Sequence, residues 1–371
     1  MKTILVIGLW NSIHLRRWLD QFKDEKIQFI IFQSEIAKHI SLKNKNVRFF
    51  KPFFFNNFNF IVNKFFYYLF GEKWLLILLK VCFRIYNPHI VHTIEIHRAG
   101  IIFLKSNLYK KNKAPKWIVT NLGSEMTLFH KLKEYQLLIE NVLQNCDFYS
   151  AECERDYDLV RSFISEKKFL PCIPNAGGLD TVYISKLRNK FEYSQRNIIL
   201  IKGHQSLVGR ALDIVKILPK IFHELKDFEL IFYSVTQDVK IETELLMLKY
   251  PLKIKCIENI SHYEILELFS KSRAYIGFSI SDGISTSMLE AMACGAIPIQ
   301  SNTACTNEWI KNELNGYSVN IGDDENLIKA IKNTIHNKSL FDLAFNENFK
   351  IITERCNKDK IIEKAKLFYE V

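Results

Sequence analysis

The chain has 371 residues, which is too long for one ordinary hydrophobic core and fits two domains. Hydrophobic residues make up 48% and charged residues 25%, which excludes an intrinsically disordered protein, and only 13 Gly and 8 Pro exclude a collagen-like architecture. The net charge of +11 indicates an anionic partner without identifying it.

The positive charge is confined to the first half of the chain. Residues 1–190 hold 29 Lys+Arg and 16 Asp+Glu, whereas residues 191–371 hold 22 and 24. A basic half can face nucleic acid, an anionic membrane or an anionic substrate. The sequence has no nucleic-acid-reading motif, and its aromatic residues cluster in apolar runs instead of alternating with Lys and Arg, so we predict no nucleic-acid partner.

The eight cysteines form no C-x-x-C pair and have no His at metal-ligand spacing, so we predict neither a disulfide framework nor a metal site. The apolar run after Thr3 is typical of a buried strand and not of a signal peptide. No stretch of about 20 apolar residues is free of charges. We therefore expect a cytoplasmic protein with no membrane span.

The first half alternates short apolar runs with segments of helical periodicity. The helix predicted over residues 15–25 places Trp18, Leu19 and Phe22 on one face. Alternating strands and helices are typical of βαβ units and a parallel sheet. The predicted strands are residues 3–8, 27–32, 47–50, 90–93 and 117–120.

Residues 52–70 are rich in Phe and Tyr, and Lys51, Lys64 and Lys73 lie close by in the sequence. Two interpretations stay open. The segment can be a helix packed on the N-terminal sheet, or it can place its rings in the headgroup layer of a membrane. In the second case, residues 44–84 would bind an anionic membrane surface, and the protein would be peripheral on the inner face of the cell membrane.

The pattern starts again after a polar stretch at residues 186–196. The predicted fold is α/β, with two Rossmann-like doubly wound parallel-sheet domains facing across a cleft. We predict domains at 1–190 and 191–345, and a C-terminal helix within 346–371 that packs back on the N-terminal domain. The second half contains predicted strands at 197–202, 228–234, 254–257, 274–279, 296–300 and 317–320, and predicted helices at 208–224, 241–248, 263–270, 287–293 and 325–336.

The most informative motif runs from Ser281 to Gly295, between two predicted strands. Asp282 ends a strand, Gly283 permits close backbone approach, and a helix begins near Ser287. The N–H groups at such a helix start suit an anion such as a diphosphate. An alternative stays open, because Ser287 and Glu290 also fit a capping box and Asp282-Gly283 is an ordinary turn pair.

A second motif lies around the first strand of the second domain. Lys202-Gly203-His204 ends that strand, and Gly209-Arg210 opens the next helix. A glycine-containing loop with a cation at each end is a phosphate-clamp pattern, in which Lys202 acts as a point charge and Arg210 as a bidentate fork. It is not a Walker loop, because G-x-x-x-x-G-K-[ST] does not occur.

These motifs resemble the signature of retaining glycosyltransferases of family four, which have the two-Rossmann GT-B fold and mostly use nucleotide-sugar donors. The family shows E-x7-E followed by A-M-A-x-G, and this chain has Asp282-x7-Glu290 followed by residues 291–295, A-M-A-C-G. Residues 174–180, P-N-A-G-G-L-D, resemble the family's P-N-G-V-D segment, and Asn315-Gly316 resembles its later N-G turn. The resemblance covers most of residues 170–340.

The resemblance implies roles for residues of the second domain. Glu290 would bind the ribose hydroxyls of the donor, and Asp282 would reach toward the transferred sugar. Gly203, Gly283 and the backbone N–H groups around Ile284, Ser285, Thr286 and Ser287 would hold the diphosphate. Lys202 and Arg210 stand in the reverse of the family's usual Arg-then-Lys order.

The first domain departs further from the family. Leu122 stands where many members have a His that faces the sugar, whereas Gly123, Ser124 and Glu125 keep a G-S-[DE] pattern. The resemblance implies that these three residues line the acceptor side. Asn11, Ser12 and His14 could contact the acceptor or a phosphate, or Asn11 or Ser12 could cap a helix and His14 lie on the surface.

The resemblance predicts a glycosyltransferase that moves a sugar from a nucleotide-diphosphate sugar, UDP-linked, to a glycan or lipid-linked acceptor with retention of anomeric configuration. Cell-surface polysaccharide, lipopolysaccharide or glycoconjugate synthesis is the expected setting. No cofactor or metal is expected, because Lys202 and Arg210 supply the countercharge. The alternatives are a GT-B nucleotide-sugar epimerase, a glycosidase that uses Asp282 and Glu290, and a non-catalytic glycosyltransferase-like binding protein.

Overall fold

The computed structural model describes residues 2–9, 12–23, 26–35, 44–51, 56–110 and 114–371. The chain forms two compact units. Unit 1 comprises Met1–Gly178 with Asp359–Val371, and unit 2 comprises Leu179–Lys358. Each unit is built on its own six-stranded parallel sheet.

The strands of unit 1 are β1 (Lys2–Gly8), β2 (Ile27–Gln33), β3 (Val47–Phe49), β4 (Ile90–Ile94), β5 (Lys116–Asn121) and β6 (Phe148–Ala151). They lie in the order β3-β2-β1-β4-β5-β6, so successive strands are added first on one side of β1 and then, from β4 onward, on the other. This is the doubly wound arrangement predicted for the first domain. The helices are α1 (Ile13–Asp20), α2 (Asn56–Phe70), α3 (Glu72–Tyr86), α4 (Ile101–Ser106), α5 (Ser124–Thr127), α6 (Lys133–Asn145) and α7 (Glu154–Val160).

The strands of unit 2 are β7 (Ile198–Lys202), β8 (Glu229–Tyr233), β9 (Lys253–Ile257), β10 (Ser272–Gly277), β11 (Ile297–Ser301) and β12 (Tyr317–Val319). They repeat the arrangement of unit 1 in the order β12-β11-β10-β7-β8-β9, and the strand order reverses between β7 and β10. The α/β prediction with two doubly wound parallel sheets is therefore confirmed. The helices are α8 (Thr181–Arg188), α9 (Ala211–Ile217), α10 (Gln237–Met247), α11 (His262–Lys271), α12 (Thr286–Cys294), α13 (Asp324–His336) and α14 (Lys338–Arg355).

The bounds of the two units differ from the predicted boundary at residue 190. Helix α8 packs against α11 and α12, so the polar stretch that follows α8 lies inside unit 2 and does not separate the units. Helix α14 also belongs to unit 2 and extends past residue 346. Only the last helix, α15 (Lys358–Leu367), and the residues after it leave unit 2.

The end of the chain packs into the core of unit 1. Phe368 and Tyr369 are buried together with Trp18 and Phe22. The indole N–H of Trp18 donates to the Tyr369 hydroxyl at 2.7 Å, and the same hydroxyl lies 2.8 Å from Nδ1 of His92. Burial lowers the pKa of His92 to about 3, so this imidazole is neutral at pH 7. The C-terminal segment is thus an integral part of the sheet's covering layer.

In the described ranges, no helix combines the length and apolar character that crossing a bilayer requires. The Phe-rich stretch 52–70 falls partly within α2. Residues 52–55 lie outside the described residues, so the prediction for them is untested.

Candidate functional site

The residues predicted to hold the donor follow the two central strands of unit 2. β7 ends at Lys202 and β10 ends at Gly277, and the strands pair with Leu200 opposite Tyr275. Ligands of open parallel sheets bind beyond the carboxyl ends of the strands, where the strand order reverses. The loops after β7 and β10 are therefore the expected position of a ligand site in unit 2.

The loop after β7 is fixed by backbone hydrogen bonds to the segment after β10. The N–H of Arg210 donates to the Phe278 carbonyl at 3.0 Å, and the N–H of Ile280 donates to the Val208 carbonyl at 2.9 Å. Gly209 allows the loop to fold tightly on itself, because a Cβ there would lie 2.3 Å from the His204 carbonyl oxygen of the same loop. The two motifs that the sequence singles out separately are thus neighbours in the structure.

The two cations of this loop differ in their surroundings. Lys202 is half-buried and makes no ion pair with any described acid, and its charge adds to the effect of burial in lowering the pKa of His204. Arg210 donates from Nη1 to the carbonyls of Ser206 at 3.0 Å and Gly209 at 3.2 Å. Its Nε and Nη2 bind no group of the described residues, so one edge of the guanidinium is available for a bidentate contact.

Helix α12 begins one residue earlier than the sequence predicted. Ser285 is its N-cap and accepts a hydrogen bond from the N–H of Met288 at 3.3 Å. Glu290 therefore lies beyond the first turn and cannot close a capping box with Ser287, so that alternative is wrong. Across the described residues, the N–H groups of Thr286 and Ser287 have no acceptor. Such donors at the start of a nine-residue helix suit an anion.

The two acidic residues of the motif have different environments. Asp282 is half-buried in the loop, and its Oδ1 accepts a hydrogen bond from the N–H of Gly283 at 3.0 Å. Glu290 is 4% exposed, and its Oε1 lies 2.8 Å from Nε2 of His262 at the start of α11. Sequence reasoning missed His262, because its partner is 28 residues away and nothing in the local pattern marks it.

Three buried polar groups of unit 2 were also missed. The hydroxyls of Tyr233 and Tyr275 and the Oε1 of Gln300 have no hydrogen-bond partner in the described part of the chain. Burial raises the pKa of both phenols, and the charge of Lys202 offsets part of the rise for Tyr275. A Cβ at Gly277 would lie 2.3 Å from the Tyr275 hydroxyl, so this glycine gives the group its room. Tyr233 lies in the strand sequence E-L-I-F-Y and Tyr275 in S-R-A-Y-I-G, and nothing in either pattern marks the two hydroxyls.

Unit 1 has a hollow at the carboxyl ends of its own strands. It is small, partly open to solvent and lined mainly by apolar atoms. His14 lines it and lies 3.2 Å from Glu152, so His14 is part of a concave site and not an isolated surface residue. Leu122, which replaces the histidine expected from the resemblance, lines the same hollow. Asn11 lies outside the described residues.

The predicted acceptor-side loop follows β5. Gly123 has a φ of 106°, which favours glycine, and Ser124 begins helix α5. Glu125 is 1% exposed, and its Oε1 accepts hydrogen bonds from the N–H groups of Ile96 at 3.2 Å and Leu122 at 3.3 Å. Its carboxyl group therefore holds two loops of unit 1 together and is turned away from solvent.

Glu125 also interacts with a second buried carboxyl group. Burial raises the pKa of Glu95 to about 7, and burial together with the nearby Glu95 raises that of Glu125 to about 8. Glu95 has a φ of 83° at the start of a π-helix, Ile96–Gly100, and its Oε2 is buried without a partner among the described residues. Both shifts favour the protonated forms, which reduces the repulsion between the two carboxyl groups.

Part of the chain is similar to a known protein family. Residues 185–351 match the family model described as glycosyl transferases group 1. No curated protein matches the chain.

Several solved structures share the fold over the whole chain. Sucrose-phosphate synthase from Thermosynechococcus elongatus is 14% identical, with a TM-score of 0.74 over 100% of this chain and 98% of its own. Anabaena HepE in complex with UDP and glucose is 13% identical, with a TM-score of 0.73 over 100% of both chains. The lipopolysaccharide outer core galactosyltransferase WaaB is 15% identical, with a TM-score of 0.68 over 100% of both. The chain therefore has the GT-B fold of these glycosyltransferases.

Proposed function

We propose that this protein transfers a sugar from a UDP-sugar to a glycan or lipid-linked acceptor, with retention of anomeric configuration. The observation that carries the proposal is the junction between the two loops of unit 2. This junction brings the cations Lys202 and Arg210 to the same sheet edge as the free N–H groups of Thr286 and Ser287. Such a set of donors fits a diphosphate.

The group-1 family match over unit 2 supports the reaction class, and the HepE complex with UDP and glucose supports UDP as the donor nucleotide. Glu290 would accept hydrogen bonds from the ribose hydroxyls, and Asp282 would contact the transferred sugar. The E-x7-E type of family four remains part of the proposal, with Asp282 in the first position.

In the proposed reaction, the bond between the anomeric carbon and the diphosphate oxygen breaks. The acceptor oxygen bonds to the anomeric carbon on the same face. The acceptor proton passes to an oxygen of the leaving phosphate, so no protein base is required. Negative charge grows on that phosphate, where Lys202, Arg210 and the start of α12 provide countercharge before the reaction begins. The proposal therefore includes no metal ion, and activity should survive chelation with EDTA.

The acceptor would bind to unit 1. Gly123 and Ser124 lie at the carboxyl end of β5, beside Leu122 in the lining of the hollow, and His14 lines its other side. The likeness to WaaB favours an acceptor in lipopolysaccharide or another cell-surface glycoconjugate. Glu125 would not contact the acceptor but would hold this loop in place through its hydrogen bonds to the N–H groups of Ile96 and Leu122.

The test is an incubation of the protein with UDP-glucose and a membrane-derived lipid or glycan fraction. Transfer predicts that UDP and a glycosylated product form in equal amounts, and that NMR of the product shows the donor's anomeric configuration. An epimerase would form a new UDP-sugar and release no UDP. A glycosidase would release free sugar with no nucleotide product, and a non-catalytic protein would do neither. A product with the inverted anomeric configuration would refute retention but not the transfer of the sugar.

A further inference from the structure

Helices α2 and α3 carry large apolar side chains that face solvent. On α3, Ile77, Val81 and Ile85 are spaced four residues apart and form one stripe, and Ile85 is 62% exposed. On α2 the side chain of Tyr68 is 87% exposed. The α2–α3 surface, as we name it, consists of Ile61, Phe65, Tyr67, Tyr68, Leu69, Phe70, Ile77, Val81 and Ile85. Soluble monomers rarely expose so many large apolar residues on two consecutive helices.

These side chains are not needed for the core of unit 1. Helix α3 already buries its opposite face, including Leu79 and Cys82, in that core. Helix α2 is held on α3 by the Phe66 and Trp74 rings, which stack at 4.6 Å, and by a hydrogen bond from Trp74 Nε1 to Asn63 at 3.1 Å. The α2–α3 surface is thus left over after the packing of both helices is satisfied.

The unpaired charges of helices α2 and α3 are all positive. Lys64, Lys73, Lys80 and Arg84 are exposed, and none of them pairs with an acid anywhere in the described ranges. The one acidic residue of α2 and α3, Glu72, is bound to Lys105 at 2.6 Å. Exposed apolar rings flanked by unpaired cations are complementary to an anionic lipid surface, where rings enter the headgroup layer and cations bind phosphates.

We propose that the α2–α3 surface binds anionic phospholipid bilayers and holds the protein on the membrane. Helix α2 has 15 residues and is about 22 Å long, which is too short to cross the hydrocarbon core but long enough to lie along the interface. Nucleic acid fits less well, because it would leave the aliphatic stripe of α3 in water. The proposal is independent of the donor site.

The experiment is flotation of the full chain with vesicles of phosphatidylcholine alone or with 30% phosphatidylglycerol (about one anionic lipid in three). We expect binding to the anionic vesicles, weakened by high salt, and little binding to the neutral ones. Each basic residue near an anionic surface changes partitioning by about fivefold. The double variant Lys80→Gln/Arg84→Gln should therefore bind about 25-fold more weakly.

A second variant, Ile77→Ser/Val81→Ser, should also lose binding, because the apolar stripe is removed while the charges stay. The matched control is Leu248→Ser/Lys249→Gln on an exposed helix end of unit 2, where Leu248 is 82% exposed. Melting curves verify that each variant is folded. Equal flotation on both vesicle types, or flotation that neither pair of substitutions weakens, would overturn the proposal.

Light scattering of the protein without lipid measures its oligomeric state and so tests whether a second copy of the chain covers the α2–α3 surface. A dimer that the Ile77→Ser/Val81→Ser variant converts to monomer, together with no flotation, would mean that the surface binds a second copy and would also overturn the proposal. Flotation requires no sugar donor. A protein that floats but transfers no sugar refutes the proposed function alone, and one that transfers sugar but does not float refutes the membrane surface alone.

Discussion

The imidazole of His262 is bound to the carboxylate of Glu290, with 2.8 Å between Nε2 and Oε1. Glu290 is nearly fully buried, whereas half of the His262 side chain faces solvent. In the proposed complex the same carboxylate binds the ribose of the donor. His262 can thus hydrogen-bond to Glu290 while no nucleotide is bound. When the nucleotide binds, the ribose hydroxyls would share this carboxylate with His262 or replace His262 as its partner.

This relationship predicts the behaviour of His262→Ala. The substitution removes one hydrogen-bond partner of a buried carboxylate, so the variant should lose about 1–3 kcal/mol of stability. Ribose hydroxyls would replace the lost hydrogen bond, so saturating UDP should raise the melting temperature of the variant more than that of the wild type. His336→Ala, at an exposed end of α13, is the control. A loss that UDP does not recover would mean that Glu290 does not meet the ribose.

Removing either cation of the loop after β7 should lower the rate of transfer without lowering the stability of the fold. Lys202→Ala or Arg210→Ala should lower the rate of transfer by about 10²–10³, because each removes a preorganised countercharge for the leaving diphosphate. The melting temperature should stay near that of the wild type, since neither side chain has an acidic partner in the described residues. Lys249→Ala should change neither quantity. Turnover within threefold of wild type in both variants would remove these residues from the mechanism.

The buried carboxyl pair of unit 1 predicts a stability that falls as pH rises. The folded-state pKa of Glu125, about 8, lies above its unfolded value near 4.5, so the folded state binds the extra proton between these pH values. The stabilisation is fully present below about pH 4.5 and is lost as pH rises through 7 to 8. Glu125→Gln keeps the acceptor for the N–H groups of Ile96 and Leu122 but removes the ionisation.

This variant should therefore melt at a higher temperature than the wild type at pH 8.5 and show little difference at pH 5. The measurement is a series of thermal melts across that range. Glu134→Gln, on an exposed part of helix α6, provides the control. A Glu125→Gln variant that is equally destabilised at both pH values would show that the carboxyl group is ionised in the folded state.

Removing a single hydroxyl group from the C-terminal segment should lower the free energy of unfolding. Tyr369→Phe removes the hydroxyl that accepts from the buried indole N–H of Trp18 and faces His92, so it should cost about 1–3 kcal/mol in urea unfolding. Tyr68→Phe, which alters an exposed hydroxyl, should cost nothing measurable. An unchanged unfolding midpoint for Tyr369→Phe would mean that water replaces the lost hydroxyl.

Most of the fold could be predicted from the sequence, because buried parallel strands are short continuous apolar runs. The strand predicted at residues 197–202 is observed as Ile198–Lys202, and the helix predicted at 325–336 as Asp324–His336. Strand β6 was missed because Phe148–Ala151 is short and contains Ser150. The boundary between units was displaced because packing of α8, and not local polarity, decides where unit 2 begins.

The donor site could be predicted in part. Glycines and charged residues that directly follow a predicted strand can be recognised in the sequence, so Lys202, Gly203 and Asp282 were predicted as site residues. The His262–Glu290 pair depends on contacts between distant segments, and no local pattern contains it. The start of α12 was misplaced by one residue because Ser285, Thr286 and Ser287 are all acceptable N-caps, and only the fold selects Ser285.

The proposed function requires unit 2 to bind a diphosphate, and the ratio of the affinities for UDP and uridine measures this binding. Calorimetric titration should show that UDP binds at least tenfold more tightly than uridine. Lys202→Ala should lose most of this preference and keep the affinity for uridine. Equal affinities for UDP and uridine would mean that unit 2 does not bind the diphosphate, and a preference that Lys202→Ala retains in full would mean that Lys202 does not contact it.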